Sequence, residues 1–121
     1  MLLLLIDTSR PRARVVLARG TTVIAQRTWE IGRDLGTRLL QEIDAVLQEG
    51  GVVLDQIDRI AVHQGPGSFS ALRMGVVTAT MLAHASGVVL VAVYGHSVED
   101  MLAKVLGATP VEIVVPVYKD R

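Results

Sequence analysis

The sequence predicts a mixed α/β domain: a sheet with antiparallel and parallel strands, and helices packed on its faces. Three observations carry that prediction. The first thirty residues hold three strand-like runs separated by short polar turns, the pattern of an antiparallel meander. From residue 35 the apolar period lengthens to that of a helix. Helical segments then alternate with short apolar runs, and a strand–helix–strand connection within one sheet is a parallel crossover.

Each element has its own signal. Residues 2–6, Leu-Leu-Leu-Leu-Ile, form a continuous apolar run suited to a strand buried on both faces. Ser9 and Pro11 mark the turn that follows, residues 13–18 form a second strand, and Arg19-Gly20 begins the next turn. Residues 22–30 read as a third, more polar strand at a sheet edge. Leu35, Leu39, Leu40, Ile43, Val46 and Leu47 then fall at helical spacing over residues 35–48, and Gly50-Gly51 ends that helix. A fourth strand is expected at 57–63, a second helix at 68–86 stopped by Gly87, and a fifth strand at 88–94. A third helix follows at 97–106 with Ser97 as its N-cap, and a sixth strand at 111–117. The order is βββαβαβαβ, without an internal repeat or linker.

Composition bounds the chemistry. The 121 residues are enough for one domain with one core, and half of them are apolar while only 3% are aromatic. Twelve basic and twelve acidic side chains cancel, so no global field draws the chain to nucleic acid, and stacking platforms for bases are scarce. Without cysteine there is no disulfide, thiolate nucleophile or Cys-ligated zinc. The apolar run at 2–6 is too short for a signal peptide or a bilayer span. A soluble, cytoplasmic protein is expected.

Two segments could carry chemistry. In Gln64-Gly65-Pro66-Gly67-Ser68, between a buried strand and a helix, the glycines permit close approach to the backbone, and Ser68 is suited to cap the helix. The free N–H groups of such a helix start can hold an anion. The same residues also make an ordinary tight turn. No Walker lysine follows, and Gly-x-Gly-x-x-Gly is absent. In Asp7-Thr8-Ser9, an acid ends the buried first strand ahead of a hydroxyl-bearing turn, and it could cap the turn N–H groups itself. His63, His84 and His96 show no metal-ligand spacing and read as ordinary histidines.

The stretch Gly65-Pro66-Gly67-Ser68-Phe69-Ser70-Ala71-Leu72-Arg73-Met74-Gly75 resembles the signature of the TsaB (YeaZ-type) family of tRNA threonylcarbamoyladenosine-modification subunits. That signature reads Gly-Pro-Gly-Ser-Phe-Thr-Gly-Leu/Val-Arg-Ile/Val-Gly, and eight of the eleven positions match. Ser70, Ala71 and Met74 are the mild departures. The flanking Ile-Asp-x-Ile-Ala-Val and Gly-Val-x-Leu-Val-x-Val runs match too, so the resemblance covers residues 3 to about 97. Near the start of the first helix, where relatives usually carry His, this chain has Leu35.

The resemblance implies a ribonuclease H-like fold of the actin/Hsp70-like ATPase superfamily, with Asp7, Thr8, Ser9, Gly65, Gly67 and Ser68 in phosphate-facing positions. It implies a non-catalytic partner subunit that binds the paralogue TsaD and reaches the ATPase TsaE through the complex. Homodimerisation and only indirect contact with tRNA are also implied. Leu39, Ile43, Leu72, Arg73, Met74, Val77 and Met81 are the candidate interface residues, although the stripe of the first helix that holds Leu39 and Ile43 is core by default. Arg73 could instead pair with Asp7. A typical family member has a second lobe, and residues 1–121 read as one domain without it. Nucleotides of that superfamily bind between two lobes, so no cofactor is expected to be required, with ATP, ADP or Mg only at a shared interface. Two alternatives stand beside this reading. One is a stand-alone nucleotide-binding module. The other is a ribonuclease H-like nuclease, which needs several carboxylates around two metal ions. Asp7 is available for that role, but the fourth strand ends on His63-Gln64 where an acid would be expected.

Overall fold

Strand β1, Leu2–Asp7, runs through the middle of the sheet with every residue buried. It pairs antiparallel with β2, Arg12–Arg19, which pairs antiparallel with β3, Thr22–Glu30. On its other side β1 pairs parallel with β4, Arg59–His63, and β4 pairs parallel with β5, Val89–Val93. The strand order is β3-β2-β1-β4-β5. This is the ribonuclease H-like arrangement expected from the sequence. The computed structural model describes residues 1–95 and 97–107. The sixth strand expected at 111–117 lies outside these residues.

Alternation along β1 divides the core into two layers. Leu2, Leu4 and Ile6 point to one face, with Ala13, Val15 and Leu17 of β2. Helices α1, Leu35–Gly50, and α2, Phe69–Ser86, cover that face through residues such as Leu39, Ile43, Val46, Val76 and Ala79. Leu3 and Leu5 point to the other face, where helix α3, Val98–Gly107, brings Met101, Leu102 and Val105. A continuous apolar run was needed at 2–6 because neither face of β1 meets water.

Local chemistry sets the boundaries. Gly51 closes α1 in the left-handed conformation (φ 68°), its N–H donating to the Gln48 carbonyl at 3.1 Å and that of Val52 to Leu47 at 3.0 Å. The fourth strand starts two residues later than the sequence predicts. A 3-10 turn at Leu54–Gln56 precedes it and takes the Ile57 N–H. Asp58 then meets Leu2 twice, its carboxylate accepting the Leu2 N–H at 2.7 Å and its own N–H donating to the Leu2 carbonyl at 2.8 Å. Ser97 caps α3 as expected, its hydroxyl accepting the Asp100 N–H at 3.1 Å. Ser68 occupies the N-cap position of α2 with extended backbone, but its side chain makes no capping bond. On β3, Trp29 is buried beneath the Arg38 guanidinium, 5.5 Å above the ring centre, and its indole N–H finds no acceptor among the described residues.

Candidate functional site

The two sequence-selected segments meet at the C-terminal end of the parallel strands, where open α/β sheets place their ligand crevices. The Thr8 hydroxyl donates to the Ala71 carbonyl in the first turn of α2, at 2.7 Å and across 63 residues of sequence. A Cβ at Gly75 would overlap the Thr8 hydroxyl, and a Cβ at Gly67 would overlap the Ser9 carbonyl. Glycine at these two places lets α2 and its leading loop lie directly on the Asp7–Ser9 turn.

Within that turn Asp7 is 2% exposed. One carboxylate oxygen accepts the Ser9 N–H at 2.9 Å and the Ser9 hydroxyl; the other lies 3.8 Å from Arg10 Nε. Both oxygens are therefore engaged inside the turn, as a capping role requires. Arg10, not Arg73, is the basic partner of Asp7. Arg73 is exposed one turn into α2, and no described carboxylate pairs with it. Among the described residues, no group of three or more His, Asp or Glu side chains is placed to hold a metal ion.

Beside the turn lies a cleft of about 400 Å³ lined by Ser9, Arg10, His63, Gly65, Pro66, Tyr94, Gly95 and Lys104. Arg10 Nη2 donates to the Gly95 carbonyl at 3.2 Å, and Lys104 Nζ donates to the Tyr94 carbonyl at 2.6 Å while lying 3.2 Å from Asp100. The two cations thus tie the segment after β5 to its neighbours. Gly65 is buried with φ of 114°, while Gly67 and Ser68 are exposed on the loop. Sequence reasoning did not single out Arg10, Tyr94, Gly95 or Lys104. The one signal that could have found the first three is their place just beyond the ends of β1 and β5.

The candidate interface residues separate into two groups. Leu39 and Ile43 are buried against the sheet, so the expectation that they face a partner is corrected: the stripe of α1 is core. Its exposed apolar neighbour is Leu40, at 44%. Leu72 is half-buried and leans on Gly65, where an added Cβ would meet its Cδ1 at 2.9 Å. Met74 (38% exposed), half-buried Val77 and Met81 (49% exposed) form an outward line on α2. Met74 also touches α1, its sulfur 3.3 Å from where a Gly36 Cβ would lie.

A family model described as TsaD, tRNA N6-adenosine threonylcarbamoyltransferase, matches residues 29–116. The chain belongs to this family, and within it is of the TsaB/YeaZ type. It is 31% identical to the tRNA threonylcarbamoyladenosine biosynthesis protein TsaB of Bacillus subtilis over 83 residues, covering 69% of this chain and 36% of that protein. Against TsaB of Haemophilus influenzae it is 38% identical over 86 residues, 67% of this chain and 34% of the relative. The structure of YeaZ from Pseudomonas aeruginosa superposes with a TM-score of 0.71 at 32% identity, over 77% of this chain and 43% of that one. The chain thus spans less than half the length of these relatives. RuvC of Thermus thermophilus, at 12% identity and a TM-score of 0.55, covers 78% of this chain and 64% of its own, and shares the fold.

Proposed function

We propose that the chain serves tRNA threonylcarbamoyladenosine formation as a non-catalytic accessory subunit that binds TsaD through the outer face of α2, with Leu40 of α1 beside it. The observation that carries this reading is the composition of α2. Its 18 residues include no acid, and Arg73 and His84 are its only ionisable side chains. A helix this apolar is normally covered all round, yet Met74, Val77 and Met81 face outward. Methionines suit such a face because their flexible thioethers conform to an opposing surface. TsaE is reached through the complex, tRNA is contacted indirectly, and the same face serves a homodimer when TsaD is absent. The cytoplasm is the compartment. None of the described helices is long and apolar enough to cross a membrane.

Co-purification with the TsaD of the same organism tests this. Met81→Asp places a charge on the exposed face and leaves the core untouched. At an interface centre such a change costs about 2 kcal/mol or more, roughly thirtyfold in affinity. Unaltered retention of the folded variant by TsaD would refute the docking face. Leu72→Asp is a poorer probe, since Leu72 also packs on the Gly65 loop.

The cleft with Arg10, Lys104 and the exposed Tyr94 ring favours a second reading, a nucleotide-binding module. Titration calorimetry with ATP and ADP separates the two. Heat that Arg10→Gln removes supports nucleotide binding, and no heat at millimolar ligand leaves the accessory role alone.

A further inference from the structure

We propose that His63 is a proton-gated clasp on the Gly65 loop. The side chain closes the end of β4, is almost wholly buried, and meets the Tyr94 ring edge-on with centroids 6.2 Å apart. Its hydrogen-bond partners are backbone groups of two different loops. The Gly65 N–H points at Nδ1 at 3.0 Å, while Nε2 lies 3.2 Å from the Gly95 carbonyl and 3.3 Å from the Gly95 nitrogen.

Counting bonds selects the protonation state. With the proton on Nε2, the ring accepts from Gly65 and donates to the Gly95 carbonyl, two bonds in all, while the Gly95 N–H finds no acceptor on the ring. With the proton on Nδ1 it keeps one bond, from the Gly95 N–H, and sets a donor against the Gly65 donor. The neutral Nε2–H form is therefore the one that joins the loops. A second proton, on Nδ1, leaves the Gly95 side intact and removes the acceptor from Gly65. Gly65 is largely buried at the cleft wall, so its N–H loses its acceptor and must find water through the cleft. The proton thereby loosens the Gly65 loop, whose Gly67 rests on the Ser9 carbonyl.

Among the described residues, the charged and titratable groups around the ring are Arg10 with its partner Asp7 from the first turn, Tyr94 from the segment after β5, and Lys104 with its partner Asp100 from α3. Asp7 is paired with Arg10 and Asp100 with Lys104. The imidazole hydrogen-bonds none of them. The gate is asymmetric: acid releases the Gly65 loop and spares the Gly95 segment. It is a property of the chain by itself, independent of which partner α2 binds.

The test uses the full chain labelled with 15N, across pH 8 to 5 where imidazoles titrate. His84→Gln with His96→Gln leaves His63 as the single histidine. At pH 8 the nitrogen shifts are expected to show a protonated Nε2 and a bare Nδ1. As the ring takes up its second proton, protection of the Gly65 amide against solvent exchange, relative to an unstructured peptide, should fall at least tenfold. Ala61, in mid-β4, should keep its own. His63→Phe retains a ring but neither nitrogen, so Gly65 should be unprotected at both pH values with no step between. A bare Nε2 at pH 8, a ring that stays neutral to pH 5, or Gly65 protection that is flat while the ring titrates would each overturn the proposal. All three readouts come from protein with His63 intact, so instability of the Phe variant does not remove the test.

Discussion

Replacing Gly75 by Ala pits two quantifiable effects against each other. In a helix interior Ala is favoured over Gly by about 1 kcal/mol, and position 75 lies in the second turn of α2. The new Cβ, however, would come well below 3.0 Å from the Thr8 hydroxyl and to 3.3 Å from its methyl. Thr8 cannot swing away, because it is buried and its hydroxyl is bound to Ala71. Overpacking of this kind costs about 1–3 kcal/mol, and so short an approach belongs at the upper end. The expected net loss is about 2 kcal/mol. Thr8→Ala removes the two offending atoms and leaves the Thr8 Cβ at 3.4 Å, an ordinary contact. By itself it costs roughly 1 kcal/mol for the lost hydrogen bond. In that background Gly75→Ala should become stabilising by up to about 1 kcal/mol, giving a coupling near 3 kcal/mol across the cycle. Urea denaturation of the four proteins, with m-values checked for constancy, measures every term. Equal effects of Gly75→Ala in the two backgrounds, or a gain in the wild-type background, would show that α2 does not rest on the first turn as described.

Leu39→Ala should lower stability by about 2–5 kcal/mol, since Leu39 is wholly buried beneath α1; a folded variant of unchanged stability but weakened TsaD retention would return Leu39 to the interface. Ser97→Ala should cost about 1 kcal/mol through loss of the α3 cap, read as a shift in denaturation midpoint. Ser68→Ala, by contrast, should leave the midpoint within roughly 0.5 kcal/mol of the wild-type value because its hydroxyl caps nothing.

Much of the fold was written in local pattern. The unbroken apolar run of β1, the helical spacing of α1 and the glycine closing it are properties of neighbouring residues, and such signals survive without tertiary knowledge. The late start of β4 did not survive, because a 3-10 turn at Leu54–Gln56 takes the Ile57 N–H before the strand begins. Leu39 and Leu40 could not be sorted by spacing, as one residue of rotation separates buried from exposed on α1. The two motifs of the site were both visible, but nothing local states that Thr8 reaches Ala71. That contact exists only once β4 lies parallel to β1. His63 looked ordinary because its partners are backbone atoms, which carry no sequence signature.

The glycines give the molecule two poles of unlike tolerance. Where β2 turns into β3, Gly20 faces empty space: an added Cβ would meet nothing within 4 Å, and only its φ of 60° calls for glycine. At the opposite end of the sheet, Gly67 and Gly75 are wedged against the first turn with no room for one atom more. A fluorophore, affinity tag or circular-permutation join therefore has a natural address at exposed Thr21 beside Gly20, a sheet's length from the cleft. The other pole is written in atoms that cannot be added to.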